Sequence, residues 1–183
     1  MRLTMIVRQE IKNQTLREAV KSVQARGFWD EVPAVCSTGG ASQVIMAQYL
    51  RLVEEAGEFQ IAYADRADTG LQKAVDELAD MAIVMAQLFD LVELPLYMME
   101  NREEAYGEGL VVQLSKLARA LRQSDAIDLS ATWLPLLSIF ARIEGFAGRI
   151  CPTDFNEAII DKLARDSQRG TRHGAANTVA VSA

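Results

Sequence analysis

Histidine is almost missing from this chain: there is one, His173, near the C-terminal end. With a single tail histidine no Ser-His-Asp arrangement is evident, and the paired Glu-x-x-His motifs of ferritin-like di-metal bundles cannot be built. No glycine-rich P-loop is present either. The two cysteines, Cys36 and Cys151, lack metal-ligand spacing and read as free thiols of a reducing compartment. Basic residues are outnumbered, 19 against 25 acidic ones, for a net charge of −6. Nonspecific nucleic-acid binding needs a basic footprint, so it is not expected. No uninterrupted apolar run reaches about 18 residues, so no membrane span is expected. The start offers only Met5-Ile6-Val7 and no signal-peptide layout. The expectation is a cytoplasmic protein. Alternation with period two is nearly absent, which argues against strands.

What is present is helical and apolar. Half of the 183 residues are hydrophobic and 24% are charged, a globular composition. One all-α domain is expected over 1–173, with a small, polar, disordered tail at 174–183. Helices are expected at about 5–26, 43–66, 70–94, 110–123, 131–147 and 155–169, a bundle of about five to six. Ser42 would cap the second. Thr69 with Gln72 fits a capping box for the third, and Pro95 closes it. Pro135 falls in the first turn of the fifth, where proline is tolerated. Thr153 or Asp154 would cap the last.

Two acidic bursts break the apolar pattern: Glu54-Glu55-x-x-Glu58, then Glu77-x-x-Asp80. The second sits in a helix apolar nearly all round, Val75 to Phe89, which must be buried on most sides. A buried charge is costly unless it is paired or binds a metal. The i, i+3 spacing puts Glu55 with Glu58, and Glu77 with Asp80, on single helix faces. Two antiparallel helices carrying such pairs would form an oxygen-only, four-carboxylate pocket suited to Mg²⁺ or Mn²⁺.

Ordinary readings compete at several positions. Arg51 can pair with Glu55, and Lys73 with Glu77, along their own helices. Gly57 serves either close packing or room beside the carboxylates. Glu100, Glu103 and Glu104 lack an apolar helix and read as a solvated face. Lys162, Arg165, Arg169 and Arg172 either reach a polyphosphate or solvate a helix end. Lys162 and Arg165 share a face and are the stronger pair; His173 reads as a tail residue. Phe28 or Trp29 could stack on a base, but core or interface roles fit them better. Asn13, Gln48 and Asn101 carry no distinguishing context. The second half also echoes the first. Aligned on Pro95 and Pro152, Leu134 and Leu137 fall where Glu77 and Asp80 stand, and Lys116 and Arg119 repeat the spacing with opposite charge. That suggests a degenerate internal repeat.

The order E-E-x-x-E, a linker, then E-x-x-D resembles the signature of the all-α nucleoside triphosphate pyrophosphohydrolases, the group of MazG, the dimeric dUTPases and the phosphoribosyl-ATP pyrophosphohydrolases. Here it stands as Glu54-Glu55-Ala56-Gly57-Glu58, eighteen residues, then Glu77-Leu78-Ala79-Asp80. Leu50-Arg51-Leu52-Val53 before it and Met81-Ala82-Ile83-Val84 after it look similar too, as does the basic ending from Lys162 to Gly174. Residues 100–150 depart from the shorter members and read as an extra helical pair.

The resemblance implies that Glu55, Glu58, Glu77 and Asp80 hold two or more Mg²⁺ ions, with Mn²⁺ able to substitute. Glu54 would orient or deprotonate the attacking water, or complete the metal shell. Attack at the α-phosphorus would yield nucleoside monophosphate and pyrophosphate. Lys162 and Arg165 would touch the phosphates. A homodimer or homotetramer serving nucleotide-pool control or house-cleaning would follow, with the base left open among dUTP, dCTP, dGTP and noncanonical nucleotides. The resemblance includes phage enzymes that adjust the nucleotide pool, which keeps a dGTP-directed enzyme among the readings. The rival reading is a catalytically silent helical protein that binds metal or nucleotide and regulates.

Overall fold

A computed structural model of the chain describes residues 2–25, 41–94, 109–123 and 129–168, with backbone alone at 2–12, 41–43 and 69. The expectations placed on Phe28, Trp29, Cys36, the Glu100–Glu108 stretch, Arg169, Arg172, His173 and the 174–183 tail lie outside these residues. Among the described residues there are seven α-helices and no strand. They are α1 (Arg2–Ala25), α2 (Ala41–Ala64), α3 (Arg66–Thr69), α4 (Leu71–Leu91), α5 (Leu110–Gln123), α6 (Trp133–Ile150) and α7 (Phe155–Gln168), with a 3₁₀ turn at Ser130–Thr132. The all-α bundle is as expected; the additional element is the single-turn α3.

The bundle is organised around α4. Every residue from Met81 to Phe89 is buried, including Gln87. A helix apolar all round must be covered all round. Accordingly α1, α2, α6 and α7 all pack against it, α2 most extensively. The hairpin α5–α6 lies alongside, with α6 against α4 and α5 against α2. One contiguous core joins Leu16 and Val23 of α1, Leu52 of α2, Leu78 and Met85 of α4, Leu117 of α5, Phe140 of α6 and Ile159 of α7. Burying each such side chain contributes roughly 1.5–3 kcal/mol before entropy is counted. Two hydrogen bonds lock the hairpins together: Tyr49 Oη donates to the Leu114 carbonyl at 3.3 Å, and Trp133 Nε1 to the Val92 carbonyl at 3.2 Å.

Helix ends follow local chemistry, not always the chemistry expected. The capping box does not form: Gly70, at φ 77°, is the N-cap of α4, and Gln72 donates to Asp76 Oδ1 at 2.9 Å. The positive φ fits glycine, which carries no Cβ to clash. Ser42 lies one residue inside α2. Asp154, not Thr153, caps α7, its Oδ1 accepting from the Asn156 backbone N–H at 2.8 Å. At the other end of α4, Leu94 N–H reaches the Phe89 carbonyl and Glu93 N–H the Asp90 carbonyl. This is a Schellman closure, with Glu93 at φ 50° where glycine is usual and Leu94 buried against the helix end. The helix thus stops before Pro95 is reached.

Both halves of the chain are helix pairs, but the charge pattern does not repeat inward. Lys116 and Arg119 are exposed on α5, Leu134 is 66% exposed and Leu137 is buried.

Candidate metal centre

Helix α2 ends and α4 begins six residues apart, so the two run antiparallel as neighbours. Antiparallel crossing makes numbers rise on one helix as they fall on the other. Glu55 therefore meets Asp80, and Glu58 meets Glu77. One carboxylate oxygen each from Glu55, Glu77 and Asp80 lies within 4.8 Å of the others. All three residues are half-buried. Glu58 is exposed and hydrogen-bonds Glu77. All four acids singled out as metal ligands thus share one place. Glu54 does not join them. Successive helical residues point about 100° apart, and Glu54 is exposed where Glu55 turns inward.

Crowding these carboxylates makes them hard to ionise. The Glu55 carboxyl is pushed up from 4.5 to about 7, first by burial and then by the Asp80 charge, with Arg51 opposing. Glu77 is likewise raised to about 7 by burial, then by Asp80 and Glu58. Burial also raises Asp80, against the pull of Lys162. The only cation of α2 beside the group is Arg51, whose Nε stands 3.5 Å from Glu55 Oε1, at the outer limit of a hydrogen bond. Lys73 is exposed and forms no ion pair with Glu77. The donor set is oxygen-only and short of positive charge. A hard divalent cation fits such a set by its own chemistry.

Helix α7 contributes the two basic residues, and both reach α4. Lys162 Nζ lies 2.7 Å from Asp80 Oδ2 and 3.6 Å from Asp166 Oδ1. Burial works against the Lys162 charge, but its hydrogen bond to Asp80 and the charges of Asp80, Asp166 and Asp76 outweigh it, and its pKa is raised. Arg165 grips Asp76 with both terminal nitrogens, at 2.8 and 2.7 Å. This fork holds the Asp76 carboxyl below the usual range, chiefly through the Arg165 hydrogen bonds. Neither residue is the solvated helix end weighed above; both are committed to carboxylates of α4.

Asp76 and Asp166 are charged neighbours of the cluster that the acidic bursts do not single out. A signal existed. Asp76 and Asp80 are i, i+4 on α4, while Lys162 and Arg165 are i, i+3 on α7, so two matched faces of opposite charge were available. Among the residues considered for base contact, Gln48 is half-buried on α2, two turns before Glu55, with Oε1 unpartnered. A Cβ at Gly57 would touch nothing within 4 Å, so close packing is not its reason.

No family model, curated protein or solved structure matches the chain. Among the described residues, no helix is long and apolar enough to cross a membrane.

Proposed function

We propose that the chain is a Mg²⁺-dependent nucleoside triphosphate pyrophosphohydrolase of the all-α, MazG-like kind, converting a (d)NTP and water to (d)NMP and pyrophosphate. The observation that carries this reading is the convergence of Glu55, Glu77 and Asp80 within 4.8 Å across α2 and α4. The sequence order of the acids supports it. Glu55, Glu58, Glu77 and Asp80 would hold the ions, with Mn²⁺ able to replace Mg²⁺. Bound cations of this type neutralise polyphosphate charge and acidify water. Phosphoryl chemistry asks the protein mainly for positioning and charge compensation, which ions held by carboxylates on two packed helices would supply. Glu54, exposed one residue before Glu55 and outside the convergent group, would take a proton from an attacking water. Lys162 and Arg165 frame the side of the site formed by α7.

The reading extends to a homodimer or homotetramer in the cytoplasm, working on the nucleotide pool. Leu50 and Ile61 leave α2 at 60% and 61% exposure, apolar surface that a second copy would cover. Sedimentation of the purified chain tests this part.

The decisive experiment incubates the protein with each NTP and dNTP plus Mg²⁺ or Mn²⁺ and resolves the products. Monophosphate with pyrophosphate is expected. Diphosphate with orthophosphate contradicts the reaction. Metal binding with no turnover on any nucleotide favours the rival, a silent binding protein. The full commitment of Lys162 and Arg165 to carboxylates is the one feature that speaks for that rival.

A further inference from the structure

We propose that Lys162 is a built-in counter-ion that a divalent cation must displace from Asp80, with Asp166 receiving the ammonium when it leaves. The inference rests on the metal reading of the acidic cluster and concerns how that cluster is regulated.

Three observations carry it. First, Lys162 Nζ sits on Asp80 Oδ2 at 2.7 Å, and Asp80 is one of the three residues whose oxygens converge. The side chains are only 12% and 15% exposed, so water screens the pair weakly. An ion taking Asp80 as ligand competes with an ammonium already there. Second, α7 cannot simply drift away to release it. Arg165, one turn further on, is forked onto Asp76, one turn before Asp80. The helix is fixed, and the flexible lysine stem is what can move. Third, a destination is at hand. Asp166 Oδ1 is 3.6 Å from Nζ and lies one turn along the same helix, in reach by a change of side-chain rotamer. Without such a partner, expelling a half-buried ammonium would leave it uncompensated, which is costly. The arrangement keeps the cluster partly neutralised without metal. It also sets a threshold that the cation must exceed.

The test is Mn²⁺ binding to the full chain, read by loss of the free-ion electron paramagnetic resonance signal, with helicity checked by circular dichroism. Lys162→Met is expected to bind Mn²⁺ on the order of tenfold more tightly than wild type, since the competitor is gone. Asp166→Asn is expected to bind more weakly, roughly threefold, because the displaced ammonium loses its partner. Lys73→Met measures the general field of a nearby exposed cation and is expected to change affinity by less than about twofold. Equal tightening by Lys73→Met and Lys162→Met overturns displacement, as does Asp166→Asn binding no more weakly than wild type. Should Lys162→Met lose its helicity, the Asp166→Asn result decides alone. Mn²⁺ binding unchanged by all three variants sinks the counter-ion idea and leaves the metal reading standing. No binding by wild type or by Lys162→Met sinks both. Binding by Lys162→Met alone supports a site that the lysine occludes.

Discussion

The hairpins α2–α4 and α5–α6 share one core yet present different chemistry. Both bury apolar stripes against each other, Leu78 and Met85 on α4, Ile139 and Phe140 on α6. On α2 and α4 the remaining positions bring carboxylates together at half-buried sites. The matching positions on α5 and α6 hold exposed Lys116 and Arg119, an exposed Leu134 and a buried Leu137. The second hairpin has one half-buried acid, Glu144, but among the described residues it brings no group of three carboxylates together. The acids of the first hairpin oppose its stability, since burial and mutual repulsion resist their charge. Carboxylates perturbed in this way mark a candidate site.

The sharpest way to break that contrast is to neutralise one acid. Glu77→Gln and Asp80→Asn should each lower metal-dependent turnover on the order of 100-fold or more, as loss of a charge-stabilising group does. Lys116→Ala and Arg119→Ala in the second hairpin should leave it within about twofold. Steady-state assays on all four variants check this, and an active Asp80→Asn would remove the site assignment. Core truncation should treat the hairpins alike. Leu78→Ala and Ile139→Ala, both at fully buried positions, should each cost about 2–5 kcal/mol in urea unfolding. A tolerant Ile139→Ala would mean that α6 only decorates the bundle.

pH separates the hairpins more gently. Glu55 and Glu77 are pushed up to about 7 in the folded chain, against an ordinary 4.5. In this window the folded state holds protons that the unfolded chain has released. Their stabilisation is fully present below pH 4.5 and is lost as pH rises toward 7. Asp76, held low by Arg165, works the other way: its contribution is lost only as pH falls below the ordinary carboxylate range. Urea midpoints of the metal-free protein should thus decline from about pH 5 to pH 7. Mg²⁺ should restore them at the upper end, and Glu77→Gln should flatten the decline. A flat wild-type profile would mean that the carboxylates are not crowded in solution.

Much of this arrangement was legible because it follows from periodicity. The all-round apolar run of α4 required a central helix, and i, i+3 spacing required Glu77 and Asp80 to share a face. What escaped depends on pairs distant in sequence. Arg165 and Asp76 are 89 residues apart, and nothing local says that α7 lies across α4 at that height. From sequence Lys162 reads as a phosphate contact or a solvated residue, and a third partner, Asp80, holds it. The start of α4 departs from the expected cap for a local reason. Thr69 and Gln72 have capping-box spacing, but Gly70 can adopt a positive φ and takes the cap, which frees Gln72 for Asp76.

The smallest effect separates two glycines. Gly57 on α2 and Gly145 on α6 are both exposed, within helices, with open space where a Cβ would stand. Replacing either with alanine removes backbone freedom from the unfolded chain and should stabilise by up to about 1 kcal/mol. On stability alone the two hairpins should respond identically. Turnover need not follow. Gly57 lies in sequence between Glu54 and Glu58 on an exposed face of α2, so a methyl group there obstructs a polyphosphate if the substrate passes over that face, whereas Gly145 borders no acid of the site. Gly57→Ala is expected to gain stability and lose several-fold in kcat/KM, while Gly145→Ala gains stability and keeps its rate. If both keep full activity, the space beside Glu54 and Glu58 is not on the substrate's path, and Glu54 loses its claim to the attacking water.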